Sequence, residues 1–384
     1  MSTLKFFRNM MIGIFILAAL SGAGLYAYLQ LPKFGALPEG KRLERIRLSP
    51  NFRDGEFKNL DPIPPRRGNV VQGWTRMMLT KKDRPRPDFP VPSVKTDMKA
   101  LDREAPLAIW LGHASYFFQS GGKRFLIDPV FNTHASPFPF VNRAFDGTMA
   151  YTSEDMPEID YLLITHDHWD HLDYPTVMAL EDKVGAIVVP LGVGAHLERW
   201  EINEGKIHEL DWGDSVRIDE ETVLYALPAL HYSSRLLARN QTLWAAYALI
   251  SPERKLYMGG DSGYGSHLKA AGEAFDGFDV AFLDSGQYNE GWRWIHKMPE
   301  DVFLAAADLK AKAIFPVHMG KFSQAYHSWD DPFLRLVKGN VKAGEEQPYA
   351  LIMPIPGEIV PLDEPRTYIS GWWNRKLLSP VQNP

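Results

Sequence analysis

The 384-residue sequence contains no cysteine. That excludes disulfides and thiolate metal sites, and leaves histidine and carboxylate side chains to hold any metal, a donor set that suits Zn, Mn or Fe. A basic excess is also missing: 42 Lys and Arg face 47 Asp and Glu, a net charge of −5. Such a balance gives no general polyanion-binding surface, so nucleic acid is not an expected partner. No internal repeat or low-complexity tract occurs. Charge vanishes altogether from Asn9 to Pro32, where MMIGIFILAALSGAGLYAYLQL is mostly apolar. About 20 helical residues cross a hydrocarbon core. Residues 1–32 are therefore expected to form a transmembrane helix, a single-pass anchor in a membrane of the bacterial inner type. A cleaved signal peptide is the rival, because Ser21-Gly22-Ala23 offers small residues at a plausible cut. The uncleaved anchor is favoured because the apolar run continues through Leu25, Tyr26 and Tyr28. Lys5 and Arg8 precede the span and Lys33, Lys41, Arg42, Arg45 and Arg47 follow it. Positive-inside counting leans towards a cytoplasmic domain and leaves the side of the membrane open.

What is present points to one large domain. Apolar content of 45% with 23% charged residues supplies a sizeable core. Residues 33–105 carry Pro62, Pro64, Pro65, Pro85, Pro87, Pro90 and Pro92. Proline lacks an amide donor, so this stretch reads as an extended segment wrapping the domain, with a short apolar helix at Trp74, Met77, Met78 and Leu79. From 106 to 384, short β-rich runs appear: LAIWL (107–111), SYFFQ (115–119), RFLID (124–128), YLLIT (161–165), AIVVP (186–190), TVLYAL (222–227), LWAAYALI (243–250), KLYMG (255–259), VAFLD (280–284) and AIFPVH (313–318). Helical patterns fall near 175–182, 192–202, 265–274, 300–310 and 331–338. An α/β fold of two sheets packed face to face, with helices outside, would bury that many apolar strands.

The chemistry concentrates where YLLIT breaks into His166-x-His168-x-Asp170-His171. Four metal-capable side chains within six positions at a strand's C-terminal end are too many for one open three-ligand zinc site. They suggest two adjacent metals, His166 and His168 on one, Asp170 and His171 on the other. Further candidates each follow an apolar strand: His231 after TVLYALPAL, Asp261 after KLYMGG and His318 after AIFPV. Asp261 lies in Gly259-Gly260-Asp261-Ser262-Gly263, where glycine lets backbone approach closely, and its carboxylate suits a bridge between cations about 3.5–4 Å apart.

This pattern resembles the metallo-β-lactamase superfamily, whose fold is an αββα sandwich. More narrowly, WLGHAS (110–115), DPVFNTHASP (128–137), ITHDHWDHLDY (164–174), VPLGV (189–193), ELDW (209–212), GGDSGYG (259–265) and VHMGKF (317–322) are similar to the N-acylphosphatidylethanolamine-hydrolysing phospholipase D family, over about residues 105 to 335. The resemblance implies two Zn²⁺, with Mn or Fe as alternatives. His166, His168 and His231 would hold the first, Asp170, His171 and His318 the second, and Asp261 would bridge. It implies catalytic roles for Asp170, Asp261 and a further histidine near the phosphate, matched here by His296. His113 would support the centre from behind. Ser-Gly-Gln-Tyr (285–288) departs from the mammalian pattern and is expected to border the substrate, so head-group choice does not carry over.

The function expected is that of a membrane-associated binuclear hydrolase, a phospholipase D-like phosphodiesterase acting on phospholipids. Trp74, Met77, Met78, Phe138, Phe140, Trp292 and Trp294 are candidates for the apolar surface that lipid tails require. A lactonase of the same superfamily is the alternative, and a non-enzymatic membrane protein with a structural metal site is a third reading. Oligomeric state is left open, with a homodimer as one option.

Overall fold

Strands apolar on both faces must be covered on both faces, and the computed structural model of the chain shows how this is done. It describes residues 3–64, 80, 82–235, 238–343 and 349–374. The chain opens with helix α1 (Thr3–Leu29), then α2 (Gly40–Leu48) and a small hairpin of β1 (Phe52–Arg53) and β2 (Glu56–Phe57). Next come β3 (Leu107–Trp110), β4 (Tyr116–Ser120), β5 (Lys123–Ile127), β6 (Ile159–Leu163), α3 (Tyr174–Leu180), β7 (Val184–Pro190), α4 (Gly194–Arg199) and β8 (Ile207–Leu210). The remainder comprises β9 (Ser215–Arg217), β10 (Val223–Leu227), β11 (Ala246–Ile250), β12 (Lys255–Met258), α5 (Ser266–Ala274), β13 (Phe278–Asp284), α6 (Pro299–Asp308), β14 (Ala311–Val317), α7 (Asp331–Ala343), β15 (Ala350–Met353), β16 (Ile359–Pro361) and β17 (Tyr368–Ile369).

Two mixed sheets result. The first runs β16-β3-β4-β5-β6-β7-β8 and the second β17-β15-β14-β13-β12-β11-β10-β9. Alternate residues of both sheets meet in one core: Trp110, Phe118, Phe125 and Ile127 from the first sheet pack with Tyr247, Met258, Phe282 and Phe315 from the second. Tyr116 stacks on Phe282 across the gap at 4.4 Å. The other face of the first sheet, through Ile109, Phe117, Leu162 and Ile187, buries Val177 and Leu180 of α3 and Leu197 of α4. Leu268, Val302, Ala305 and Leu336 of α5, α6 and α7 pack into the core from the second sheet's outer side. This is the αββα sandwich.

α1 stands outside it, long and apolar enough to cross a membrane, with none of its span buried in the protein. The segment read as extended is helical at α2, because 40–48 itself contains no proline and turns Ile46 into the core. Its Arg42 pairs with Glu209 at 2.7 Å. Further on, Asn59 exchanges hydrogen bonds with the backbone of His231, and Arg103 meets both carboxylate oxygens of Asp160. The short helix expected at Trp74, Met77, Met78 and Leu79 lies outside the described residues.

Candidate metal centre

The first sheet's β5 and β6 run parallel, as do β12, β13 and β14 of the second. Their C-terminal ends open on one rim of the sandwich. Asp128 follows β5, His166 to His171 follow β6, Asp261 follows β12, Asp284 closes β13 and His318 follows β14. His231 arrives from the end of β10. Backbone sterics help bring these groups together. His113, Asp128 and His318 all have positive φ, at 54°, 41° and 66°. Left-handed geometry costs a non-glycine residue roughly 1–2 kcal/mol. Here it is held by hydrogen bonds from His318 N to His113 O (2.9 Å) and from His113 N to Met319 O (3.0 Å). Two glycines are required for close approach. A Cβ on Gly260 would lie 2.8 Å from Thr165 Cβ, and one on Gly286 would lie 1.8 Å from His318 O.

The structure brings all seven expected metal-holding side chains into one buried cluster. His166, His168, His231 and Asp261 present ligand atoms mutually within 4.8 Å, and so do Asp170, His171 and His318 together with His113. Asp261 lies between the two groups. Its Oδ2 is 3.2 Å from His171 Nε2, 3.7 Å from His231 Nε2 and 3.9 Å from His166 Nε2, while its Oδ1 is 3.3 Å from His318 Nδ1. Asp170 Oδ2 lies 3.2 Å from His318 Nε2 and 2.9 Å from His113 Nε2.

Whether these groups fit a metal can be tested on their hydrogen bonds. His168 Nε2, His171 Nε2 and Asp261 Oδ1 are buried without a hydrogen-bond partner and lie together in this cluster, whereas most buried polar atoms in proteins are paired. Lone pairs aimed at one another are what a cation reconciles. The electrostatics agree. Burial drives His166 and His231 well below the usual histidine range and His168 down to about 4, keeping them neutral donors. Burial opposes charge on Asp261 too, yet His171 and His318 outweigh it and hold the carboxyl well below its ordinary value. Burial likewise opposes charge on His318, but Asp261 and Asp284 raise it to about 10. The Asp261 carboxylate thus stays ionised beside the neutral donors His166, His168 and His231. The fit is good, and these are metal-binding groups.

Around the cluster, carboxylates orient the rings. Asp128 Oδ2 accepts from His171 Nδ1 at 2.7 Å, and the same carboxylate accepts from Thr165 N and Thr165 Oγ1. Asp284 receives His318 Nδ1 at 3.1 Å and His296 Nδ1 at 2.8 Å. His296 thus stands at the centre, its ring stacked on that of His318 at 5.2 Å. Gln324 Nε2 donates to Asp170 Oδ2 at 2.9 Å. Sequence reasoning missed Asp128, Asp284 and Gln324 as site residues. The first two end apolar strands, RFLID and VAFLD, just as the ligands do, and that signal was available; Gln324 carries none. Ser285, Gly286, Gln287 and Tyr288 are buried and do not border the cleft described next. Gln287 instead accepts from the backbone of Gln324 and Ala325, bracing the loop behind Asp170.

His231 and His296 form the floor of an open cleft of about 960 Å³. Its walls include Phe57, Leu60, Ile63, Trp292 and Trp294, with Arg53, Lys58 and Arg239 at polar points. Of the other expected apolar residues, Phe138 and Phe140 lie elsewhere, exposed beside the end of α1.

Residues 123–319, about half the chain, match the family described as Beta-lactamase superfamily domain. An uncharacterized protein of Mycobacterium tuberculosis is 36% identical over 333 residues, 85% of this chain and 87% of that protein. N-acyl-phosphatidylethanolamine-hydrolyzing phospholipase D 1 of Caenorhabditis elegans is 29% identical over 261 residues, 60% of this chain and 72% of that protein. Among solved structures, CmlA, a diiron beta-hydroxylase from Streptomyces venezuelae, superposes with a TM-score of 0.50 at 20% identity, over 68% of this chain and 55% of that one. The chain spans about half the length of CmlA, and that likeness is one of fold.

Proposed function

Because the chain belongs to the beta-lactamase superfamily and is a metal-dependent hydrolase of that fold, we propose that it is a membrane-tethered phosphodiesterase. In this reading it cleaves N-acylphosphatidylethanolamine-like phospholipids to phosphatidate and an N-acylethanolamine, with α1 retained as its anchor. The observation that carries this reading is the cleft. Aromatic and aliphatic walls suited to acyl chains share the cleft with His231 and His296, and Arg239 and Lys58, the latter paired with Glu56, supply positive charge in its lining. The partial likeness to the Caenorhabditis elegans phospholipase supports the same substrate class.

Held by His166, His168 and His231, by Asp170, His171 and His318, and by Asp261 between them, two zinc ions would supply Lewis-acid polarisation and lower the pKa of water to about 7. The chain's own groups do the rest. Asp284 fixes the His296 ring through Nδ1, leaving Nε2 as its exchangeable position on a residue that lines the cleft. As the water oxygen bonds to phosphorus and the bond to the ethanolamide oxygen breaks, His296 delivers a proton to that oxygen. His231 is held by a hydrogen bond from Nδ1 to Ile295 O at 3.0 Å, so its Nε2 points into the cluster.

The test is to incubate metal-replete, full-length protein with N-acylphosphatidylethanolamine in mixed micelles and identify products by mass. Phosphatidate with N-acylethanolamine is expected. Turnover of lactones with no phosphodiester cleavage would replace this reading with the carbon-centred one.

A further inference from the structure

The end of α1 is joined to the metal loop by a continuous set of contacts. Tyr28 stacks edge-on against Phe34 at 5.4 Å, and Phe34 against Trp169 at 5.3 Å, inside the His168-Trp169-Asp170 turn. The buried Arg235 lies over Trp169 at 4.1 Å. Its guanidinium donates to Lys33 O on one side and to Asp167 O and Leu172 O on the other. Trp200 Nε1 donates to Pro32 O at 2.6 Å. The anchor therefore does not lead into a loose tether; its exit is part of the rim that carries the metal ligands.

A second element is fastened to that exit. Tyr28 OH donates to Pro137 O at 2.5 Å, Lys33 Nζ donates to the same carbonyl at 2.7 Å, and the Phe138 ring lies parallel to Tyr28 at 5.4 Å. The loop is internally ordered, since Ser136 Oγ donates to Phe138 O and Val141 O, and Ala135 N donates to Asn142 O. Yet it turns Phe138, Phe140 and Val141 outward, Phe140 with 76% of its surface exposed. An ordered loop that presents three apolar side chains to water gains nothing from doing so; such patches mark contact surfaces.

The partner follows from depth. The apolar span Lys5–Leu29 has 25 residues, about 38 Å of helix at 1.5 Å per residue, against a hydrocarbon core of about 30 Å. Its last turn, carrying Tyr28 with Lys33 just beyond, falls at the headgroup level, where aromatic rings and snorkelling lysines belong. Phe138 shares a face with Tyr28, and Phe140 packs on Phe138 at 5.7 Å. We propose that the loop 136–142 is a second membrane contact, its Phe138, Phe140 and Val141 entering the interfacial layer of the same bilayer that α1 crosses. Two contacts, α1 and the loop fastened to its exit, fix the tilt of the metal-bearing rim relative to the lipid surface. The proposal rests on α1 remaining in the membrane, as in the reading above, but not on the reaction catalysed.

Because the chain has no cysteine, one introduced thiol reports one position. Phe140→Cys and, as control, Lys312→Cys at the opposite end of β14 from His318 are labelled with an environment-sensitive nitrobenzoxadiazole. The full chain, its intact mass confirming α1, is placed in nanodiscs of phosphatidylethanolamine and phosphatidylglycerol containing a shallow doxyl lipid. Both variants should retain the metal content of the parent. Severalfold stronger quenching and a blue-shifted emission at 140, with neither at 312, are expected. Equal signals at both positions would overturn the proposal. So would a label at 140 shielded from both the doxyl lipid and aqueous iodide, which would indicate a protein partner such as a second copy. Nanodisc-bound protein whose label at 140 is water-exposed defeats the loop contact alone; protein that fails to enter nanodiscs at all defeats the anchor as well. Phospholipid turnover, measured separately, can fail without altering any of these results.

Discussion

Asp128→Asn is the substitution in which the geometry makes the sharpest demand. Asp128 is fully buried and accepts three hydrogen bonds, from Thr165 N at 2.8 Å, Thr165 Oγ1 at 2.6 Å and His171 Nδ1 at 2.7 Å. The last of these keeps the proton on Nδ1 and leaves the His171 Nε2 lone pair facing Asp261, 3.2 Å away. Asparagine has the same shape and can still accept from Thr165 through its oxygen. Its amide then faces His171 and donates to Nδ1, which moves the ring proton to Nε2, the atom needed for a metal. Loss of an orienting partner of this kind lowers metal affinity by about 10–100-fold, or roughly 1.4–2.7 kcal/mol. The fold should lose about 1–3 kcal/mol for each altered buried bond, and there are two, because the oxygen facing His171 also accepts from Thr165 Oγ1. Competition against a chromophoric chelator, with two binding steps fitted, reads the effect directly: one step should weaken while the other stays near its parent value. Unchanged affinity at both steps, in a variant that unfolds like the parent, would refute the role of Asp128 and the assignment of Nε2 as the His171 donor.

Other perturbations separate other parts of the site. Asp261→Asn should abolish turnover, a fall of about 10²–10³-fold or more, and reduce bound metal below two per chain while circular dichroism stays that of the parent. His296→Ala should slow cleavage by about 10²–10⁴-fold for alkyl leaving groups yet leave a nitrophenyl phosphodiester, whose leaving group needs no proton, nearly unaffected; equal losses for both would remove His296 from proton delivery. Lys321 is buried, with Nζ donating to Val130 O at 2.6 Å, and burial lowers its pKa from 10.5 to about 8. Between those values the unfolded chain binds the extra proton, so stability rises with pH across this window, by about 3 kcal/mol for a shift of this size. Denaturant titrations at pH 7.5 and 10 should show a rise attributable to Lys321, and Lys321→Met should lack it.

The motif that crowds four donors into six positions is local, and so it was legible in the sequence; so was the habit of single donors to follow apolar strands, which found His231, Asp261 and His318. The same habit holds for Asp128 and Asp284, but an acidic residue closing a strand also reads as an ordinary turn, and nothing local separates the two. The ten apolar runs became strands because burial on both faces leaves little polar pattern to mistake. The strands β8 and β9 went unseen: IHEL and SVR are short, half-exposed edge segments with polar residues facing water. β16 was equally hidden, since it pairs Ile359 with Ile109 across some 250 residues of chain. α2 was obscured by its proline-rich neighbours, although its own sequence GKRLERIRL is free of proline. Ser285 to Tyr288 were expected at the substrate from a difference in pattern, whereas they are buried and the Gln287 side chain is committed to bracing His318 and the Gln324 loop.

Anomalous diffraction from crystals of carefully purified protein, collected across the zinc, iron and manganese edges, tests the centre most directly. Two peaks about 3.5–4 Å apart are expected, with Asp261 between them, His166, His168 and His231 on one side and Asp170, His171 and His318 on the other. A single peak, or none despite metal in the growth medium, would contradict the paired-cation account.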